Sequence, residues 1–198
     1  ALARQAHVHS LGRVDQVWPW LKSHHGEVMA VDAPHAAHPE RLSYRELAER
    51  IDHAAAAFRG LGVGGGDVVG LFAENSPRWL VADQGLMRAG AIDAVRGATA
   101  PVEELRYILE DSAAVALVVQ NADLLQRLEL PAELRERLRF VLVLEGPAPQ
   151  GATDFETFLG LAGGDEGPDP MTGRDRTSAE ATTATILYTS GTTGRPKG

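Results

Sequence analysis

The chain contains no cysteine, so it has neither a disulfide framework nor a thiolate metal site. It has no apolar run long enough to span a bilayer, and residues 1–13 lack the apolar centre of a secretory signal peptide. A chain without cysteine also suits a reducing compartment. These absences lead us to expect a cytoplasmic protein.

Basic residues are outnumbered by acidic ones. The sequence has 19 Lys and Arg against 27 Asp and Glu, which gives a formal net charge of -8. Because nucleic acid binding needs a basic face, this balance argues against a nucleic acid partner. The lysines are Lys22 and Lys197, and the second of them lies in a glycine-rich segment.

A metal site is not expected either. Four histidines lie near one another in polar segments, but no third ligand stands at a diagnostic spacing from any pair. We interpret them as solvated side chains and predict no bound metal. The residues are His24, His25, His35 and His38.

Two surface features leave alternatives open. Trp18 and Trp20 flank Pro19, and the segment either packs on the domain or makes peripheral contact with a membrane. The sequence RERLR at residues 135–139 is the most basic patch. It is either a solvated helix face or a docking surface for an acidic carrier protein.

Strands and helices alternate through most of the 198 residues, whose 44% apolar content suits a folded domain. Ser43 and Glu46 have capping-box spacing at the start of a helix, and Ser76 with Pro77 marks another. Short apolar runs follow these helices, as in buried parallel strands. Further elements are strands at 67–73, 92–95, 114–120, 139–146 and 184–188, with helices at 101–111, 122–128 and after Pro131. The pattern predicts an α/β fold with a largely parallel sheet flanked by helices.

The composition divides the chain into four parts. Residues 1–40 are an N-terminal segment, and residues 41–144 form the predicted α/β sheet subdomain. Residues 145–183 are rich in Pro, Gly and acids, so we interpret them as a surface connector. One short helix is predicted near Phe155 within it, and mobility is expected at 163–176. Residues 184–198 contain a strand and then a glycine-rich loop.

That loop reads YTSGTTGRPKG at residues 188–198. Its glycines permit backbone conformations that turn amides inward, and its hydroxyls and lysine add donors and positive charge, which together suit a phosphate chain. A Walker loop is excluded because Pro196 and Gly198 stand where that motif requires Gly and Ser or Thr. The predicted phosphate-binding residues are Thr189, Ser190, Gly191, Thr192, Thr193, Gly194 and Lys197.

The uninterrupted loop resembles the signature loop of the adenylate-forming superfamily, which includes acyl-CoA synthetases, luciferases and the adenylation domains of peptide synthetases. Two further segments resemble the long-chain acyl-acyl-carrier-protein synthetases of cyanobacteria and plastids. They are FAENSPRWLVADQGLMRAGAIDAVRG at 72–97 and VEELRYILEDSAAVALVVQN at 102–121. The chain departs from many relatives at 181–183, where Ala, Thr and Thr replace an acidic pair.

The resemblance implies the N-terminal part of the large domain of an acid-thiol ligase. Such an enzyme uses ATP and Mg²⁺ to convert a long-chain fatty acid into acyl-AMP, and then transfers the acyl group to acyl carrier protein. Two alternatives remain: a long-chain acyl-CoA synthetase, and a non-catalytic nucleotide-binding module.

In this family the loop contacts the β and γ phosphates of ATP, whereas the catalytic lysine and acyl pocket belong to later segments. We therefore expect no catalytic residue within these 198 residues and no turnover by this chain alone. We also expect exposed apolar surface and self-association.

Overall fold

The computed structural model describes residues 11–12, 14–163, 183–189 and 197–198. Six strands form its main sheet, and a separate antiparallel hairpin precedes them. The hairpin strands are β1 Met29–Ala33 and β2 Glu40–Ser43. The sheet strands are β3 Val68–Phe72, β4 Ile92–Arg96, β5 Ala116–Asn121, β6 Val141–Glu145, β7 Thr153–Asp154 and β8 Thr185–Leu187.

Seven helices are described together with short 3-10 turns at Val14–Gln16 and Leu161–Gly163. The helices are α1 Val17–His25, α2 Tyr44–Gly60, α3 Pro77–Ala89, α4 Val102–Asp111, α5 Ala122–Arg127, α6 Ala132–Arg137 and α7 Phe155–Gly160. None of these described helices combines the length and apolar character needed to cross a membrane.

The sheet has the strand order β7-β6-β5-β3-β4-β8, and each neighbouring pair is parallel. The predicted fold class, a parallel sheet flanked by helices, is therefore confirmed. The order reverses after β4, because β5 returns to pair with β3 on its other side. Such a reversal opens a crevice at the carboxyl ends of the strands, where α/β proteins bind their ligands.

Capping residues determine where the two longest helices, α2 and α3, begin. The Ser43 amide donates to Glu46 Oε2 over 2.8 Å, and the Glu46 amide donates back to Ser43 Oγ over 3.3 Å. These two bonds complete the predicted capping box at the start of α2. Ser76 caps α3 by accepting from the Trp79 amide, and α3 ends at Gly90, whose φ is 84°. That left-handed conformation favours glycine.

Helices cover both faces of the sheet, because strand residues alternate between the faces. Val118 on β5 belongs to the core shared with α2 and α3, whereas its neighbour Val119 belongs to the core shared with α4. The α4 helix approaches β3 so closely that a Cβ placed on Gly70 would lie 2.6 Å from Leu109 Cδ2. The result is a layer of helices on each face of one parallel sheet.

The first part of the predicted surface connector contains a helix that packs two side chains into the core. The short helix predicted near Phe155 is α7, and both Phe155 and Phe158 are buried. The ring of Phe158 lies 4.6 Å from that of Phe58 on α2. This helix of the predicted connector therefore lies at the surface with Glu156 and Thr157 exposed, while its two phenylalanines pack inward. Residues 164–182, where mobility was predicted, lie outside the described residues, and the four-part division of the chain stays a prediction.

Candidate functional site

Strand β8 delivers the predicted phosphate loop to the carboxyl edge of the sheet. It runs parallel to β4, with Thr185 beside Asp93 and Leu187 beside Val95. Because the carboxyl ends of parallel strands meet at one edge, Tyr188 and Thr189 emerge beside the segments that follow β3 and β4. The predicted loop thus begins at the edge where this fold class places ligands.

The two ends of the loop are joined to each other. The Thr189 amide donates to the Lys197 carbonyl over 3.1 Å, and the Lys197 amide donates to the Thr189 carbonyl over the same distance. Both residues are exposed. This pair of bonds places a hydroxyl and an ammonium group at the neck of the loop, both available to an anion. Ser190, Gly191, Thr192, Thr193 and Gly194 lie outside the described residues, so their phosphate contacts stay a prediction.

The residue before the loop is buried and hydrogen bonded. Tyr188 is 5% exposed, and its hydroxyl donates to Asp111 Oδ2 over 2.8 Å. Burial raises the pKa of the Tyr188 phenol, and the neighbouring Asp111 carboxylate raises it further. Tyr188 therefore remains a protonated donor. Asp111 was not predicted from the sequence, although its spacing of four residues from Tyr107 places both on one helix face.

Polar groups continue along the carboxyl edge toward β3 and β5. The Glu74 amide, just after β3, donates to Gln120 Oε1 over 3.1 Å. The Thr99 amide and hydroxyl each lie 3.4 Å from Glu74 Oε1 and donate to it. These bonds connect the end of β5 with the segments that follow β3 and β4, at the edge from which the loop emerges.

Two carboxyl groups are buried near β8, one on the neighbouring strand β4 and one on α3. Asp93 on β4 is 0% exposed, and Asp83 on α3 is also buried. The Asp93 carboxyl lies within interaction distance of the Asp83 carboxyl and of the Thr185 hydroxyl on β8. Burial raises the pKa of Asp93 to about 8, and the negative charge of Asp83 adds to the shift. This acidic pair was not predicted from the sequence.

The basic patch at 135–139 is used within the domain. Arg139 donates to Asp67 over 2.7 Å and to the Gly62 carbonyl over 2.6 Å. Arg137 donates to the carbonyls of Leu109 and Ala114 at the end of α4. Charges already bound to internal acceptors are weaker attractors for a partner, so these contacts favour a structural role for the patch.

The histidines and the first tryptophan make contacts within the domain. No group of three or more potential metal ligands occurs in the described part of the chain. His24 stacks on Trp20 with ring centroids 4.5 Å apart. The Trp18 indole donates to Gln84 Oε1 over 2.6 Å and packs against the α2–α3 core. Of the two interpretations of this segment, packing on the domain therefore holds for Trp18.

Comparison with known families agrees with the fold and with the position of the loop. The family model for AMP-binding enzymes matches residues 19–198. The chain belongs to that family. Among the relatives of this AMP-binding chain is the chloroplastic long-chain-fatty-acid acyl-carrier-protein ligase AEE15 of Arabidopsis thaliana. It is 34% identical, and the match covers 93% of this chain and 27% of the relative.

Two further relatives support the assignment to the AMP-binding family. The long-chain-fatty-acid CoA ligase FadD15 of Mycobacterium tuberculosis is 35% identical over 77% of this chain and 25% of its own length. The apo structure of MbtA from Mycobacterium smegmatis superposes with a TM-score of 0.72 at 33% identity, covering 92% of this chain and 32% of that one. The chain thus spans about a quarter of the length of the curated relatives it matches.

The resemblance predicted from the sequence, to the adenylate-forming superfamily and its acyl-carrier-protein ligases, is confirmed by these matches.

Proposed function

We propose that this chain is the N-terminal portion of an ATP-dependent ligase that activates long-chain fatty acids and transfers them to acyl carrier protein. One observation carries the proposal. Two backbone hydrogen bonds pair Thr189 with Lys197 at the carboxyl edge of the sheet, and both residues are exposed there. The 34% identity to an acyl-carrier-protein ligase supports the choice of substrate and acceptor.

The chemistry of these residues fits the triphosphate of ATP. Lys197 supplies a positive charge and Thr189 a neutral donor, and both are exposed at the neck of the loop. Point charges and hydroxyl donors of this kind bind phosphate oxygens. Bound Mg²⁺ would neutralise further phosphate charge, and we propose that it accompanies ATP.

The proposed reaction has two steps. A carboxylate oxygen of the fatty acid attacks the α phosphorus, and the bond from that phosphorus to the bridging oxygen breaks, so pyrophosphate leaves with the electron pair. The thiolate of the acceptor then attacks the acyl carbon, and AMP leaves. The loop would act in the first step, because spreading the charge that develops on the departing pyrophosphate lowers the barrier.

A second candidate is a long-chain acyl-CoA synthetase, which shares the first step and differs in the acceptor thiol. The 35% identity to the CoA ligase FadD15 favours it. Docking of the acceptor at residues 135–139 stays a prediction, because Arg137 and Arg139 are exposed although they also donate to acceptors within the domain. The non-catalytic module, the cytoplasmic location and contact with a membrane surface stay predictions.

The phosphate role of the loop is tested by Lys197→Ala in the full-length protein, with Lys22→Ala as the matched control. Lys22 forms a surface ion pair with Glu49 at 3.2 Å, so its loss removes one lysine far from the loop. We expect Lys197→Ala to slow acyl-AMP formation about 100-fold or more, whereas thioester transfer from preformed acyl-AMP changes little. Thr193→Val should act in the same direction. Equal losses in both steps would contradict this role of the loop.

The acceptor is tested with Mg-ATP and labelled palmitate, supplying holo-acyl-carrier-protein and coenzyme A in separate reactions. Thioester on the carrier protein alone supports the first candidate, and thioester on coenzyme A alone supports the second. A protein that releases no AMP under either condition, and whose complete sequence lacks the catalytic lysine, would belong to the non-catalytic class.

A further inference from the structure

The start of the phosphate loop depends on one buried ring. Tyr188 connects β8 to Thr189 and belongs to the core shared with α4. Strand β8 is only three residues long, and β4 is its pairing partner among the described strands. A strand this short fixes its position weakly, because it has few backbone hydrogen bonds. The side chain of Tyr188 therefore determines where the loop begins.

That side chain is tied to a helix far away in the sequence. The Tyr188 hydroxyl donates to Asp111 Oδ2 across 77 residues of chain, and the Tyr107 hydroxyl donates to Asp111 Oδ1 over 3.0 Å. Asp111 is the last residue of α4. Each carboxylate oxygen of Asp111 thus accepts a hydrogen bond from one phenol, and the two bonds together fix the orientation of the carboxylate. Hydrogen bonds from a neutral donor to a carboxylate are stronger than those between neutral groups.

The other end of the loop returns to the same ring. A Cβ placed on Gly198 would lie 2.8 Å from Tyr188 Cζ and 2.7 Å from Ile186 Cγ2, so the Gly198 backbone lies directly against the ring. Lys197 is paired with Thr189 by two backbone hydrogen bonds. Both ends of the loop therefore take their position from Tyr188, and Tyr188 takes its own from Asp111.

We infer that Asp111 is a positioning residue for the phosphate site: its carboxylate holds the Tyr188 phenol, and the phenol sets the places of Thr189 and Lys197. This inference rests on the proposed function, since it assigns to α4 a part in binding the triphosphate. Asp111 acts through Tyr188 and itself touches no reacting atom. Losing the bond would let β8 and the neck of the loop shift, so the donors would meet the phosphates in a poorer geometry.

The test uses Tyr188→Phe and Asp111→Asn in the full-length protein, with ATP–pyrophosphate exchange in the presence of palmitate as the readout. Tyr188→Phe removes a single oxygen and keeps the ring against Gly198. We expect each variant to raise KM for ATP about tenfold, corresponding to the loss of one charge-assisted hydrogen bond. The double variant should be no worse than either single one, because the two groups act as a unit.

Controls separate positioning from a general loss of stability. The sequence has three tyrosines, and Tyr44→Phe at the start of α2 removes a phenol hydroxyl away from the loop, so it should leave KM for ATP unchanged. Asp111→Glu keeps a carboxylate and should recover part of the lost affinity. Transfer from preformed acyl-AMP should stay within about twofold of wild type in Tyr188→Phe, because that step does not use the triphosphate.

The outcomes distinguish the two levels of the proposal. If the wild-type protein shows no exchange with any fatty acid, the proposed function is wrong and the inference is wrong with it. If the wild type exchanges but Tyr188→Phe keeps a normal KM for ATP, only the inference is overturned. A lower melting temperature with equal losses in both half-reactions would likewise overturn it. If Asp111→Asn does not fold, Tyr188→Phe and Asp111→Glu still decide the question.

Discussion

The two outer edges of the six-stranded sheet are built in different ways. At the β7 edge, α7 covers the sheet. The Arg78 side chain is 11% exposed there, and it lies near two carboxylates, the Leu144 carbonyl and the Phe155 ring. At the β8 edge, Leu187 is 64% exposed, and the carboxyl groups of Asp93 and Asp83 are buried beside each other. The first edge places a cation among acceptors, whereas the second buries a carboxyl group next to the strand that leads to the phosphate loop.

This difference indicates that the β8 edge is the less stable of the two and that its lower stability accompanies the candidate site. Burying one carboxyl group beside another reduces stability at neutral pH, and strongly shifted acids of this kind cluster near functional sites. The β8 edge carries both such a group and the candidate site. The β7 edge contains ion pairs and aromatic contacts that only hold elements together. Three substitutions, ordered by the size of the expected effect, test whether this division is real.

The largest effect is expected at Asp93 and depends on pH. In the unfolded chain the Asp93 carboxyl has the ordinary pKa of 3.8, whereas burial and Asp83 raise the folded pKa to about 8. Between these values the folded protein holds a proton that the unfolded chain has lost. Stability therefore falls as pH rises from about 4 to about 8, by up to about 1.4 kcal/mol per pH unit, and then levels off.

Asp93→Asn should flatten this dependence, because an amide resembles the protonated acid and cannot ionise. Urea unfolding of the 198-residue chain at pH 5 and pH 8 measures it. Asp83→Asn should flatten it partly, since it removes the neighbouring charge and leaves the burial of Asp93. Asp52→Asn, at a half-exposed carboxylate paired with Arg88, should leave the slope unchanged. If Asp93→Asn and wild type lose stability in parallel, Asp93 is ionised in the folded protein.

Short-range signals explain how much of this fold could be predicted. Ser43 with Glu46, and Ser76 with Pro77, mark helix starts because the capping partners lie within three residues of one another. The hairpin was missed, because its strands bury few side chains and their exposure does not alternate regularly. The burial of Phe155 was also missed, because the cluster around it includes residues from distant segments. Phe155 lies next to the Phe158 ring, and Phe158 in turn contacts Phe58 on α2.

The residues of the candidate site also divide into those that a local sequence pattern marks and those that it does not. Thr189 and Lys197 belong to one continuous motif, so they could be proposed from the sequence alone, and their phosphate contacts stay a prediction. Asp111 could not, because it meets Tyr188 only after α4 and β8 have packed beside each other across 77 residues. Asp83 and Asp93 are ten residues apart on a helix and the next strand, and no local pattern shows that both are buried.

A smaller effect is expected at the β7 edge. Arg78 donates to the Leu144 carbonyl over 2.7 Å and to Glu156 over 2.6 Å, and its guanidinium lies 4.9 Å from the centroid of the Phe155 ring. Arg78→Met keeps much of the apolar stem but leaves these acceptors without their donor. We expect the free energy of unfolding to fall by about 2 to 3 kcal/mol.

The matched control is Glu156→Gln, which alters the same ion pair from its exposed side. The Glu156 side chain is 69% exposed, so this change should cost less than about 1 kcal/mol. Chemical denaturation of both variants provides the comparison. If both variants lower the free energy of unfolding equally, the exposed ion pair with Glu156, rather than the buried contacts of Arg78, stabilises this edge.

The smallest effect on stability is expected for Leu187→Lys on β8. Leu187 is 64% exposed, so a charged replacement should change the free energy of unfolding by no more than about 0.5 kcal/mol. Its effect should appear in association instead, because a lysine on an outer strand opposes strand pairing between molecules. Light scattering after size-exclusion chromatography should show less self-association of the 198-residue chain at equal concentration.

Leu161→Lys provides the comparison between the two edges, since Leu161 is 48% exposed and follows α7 near the β7 edge. If exposed apolar area alone drives self-association, both lysines should reduce it in proportion to the area they replace. If the unpaired side of β8 drives it, only Leu187→Lys should act, because only that residue lies on an outer strand. The second result would assign self-association to the edge of the sheet that also carries the phosphate loop.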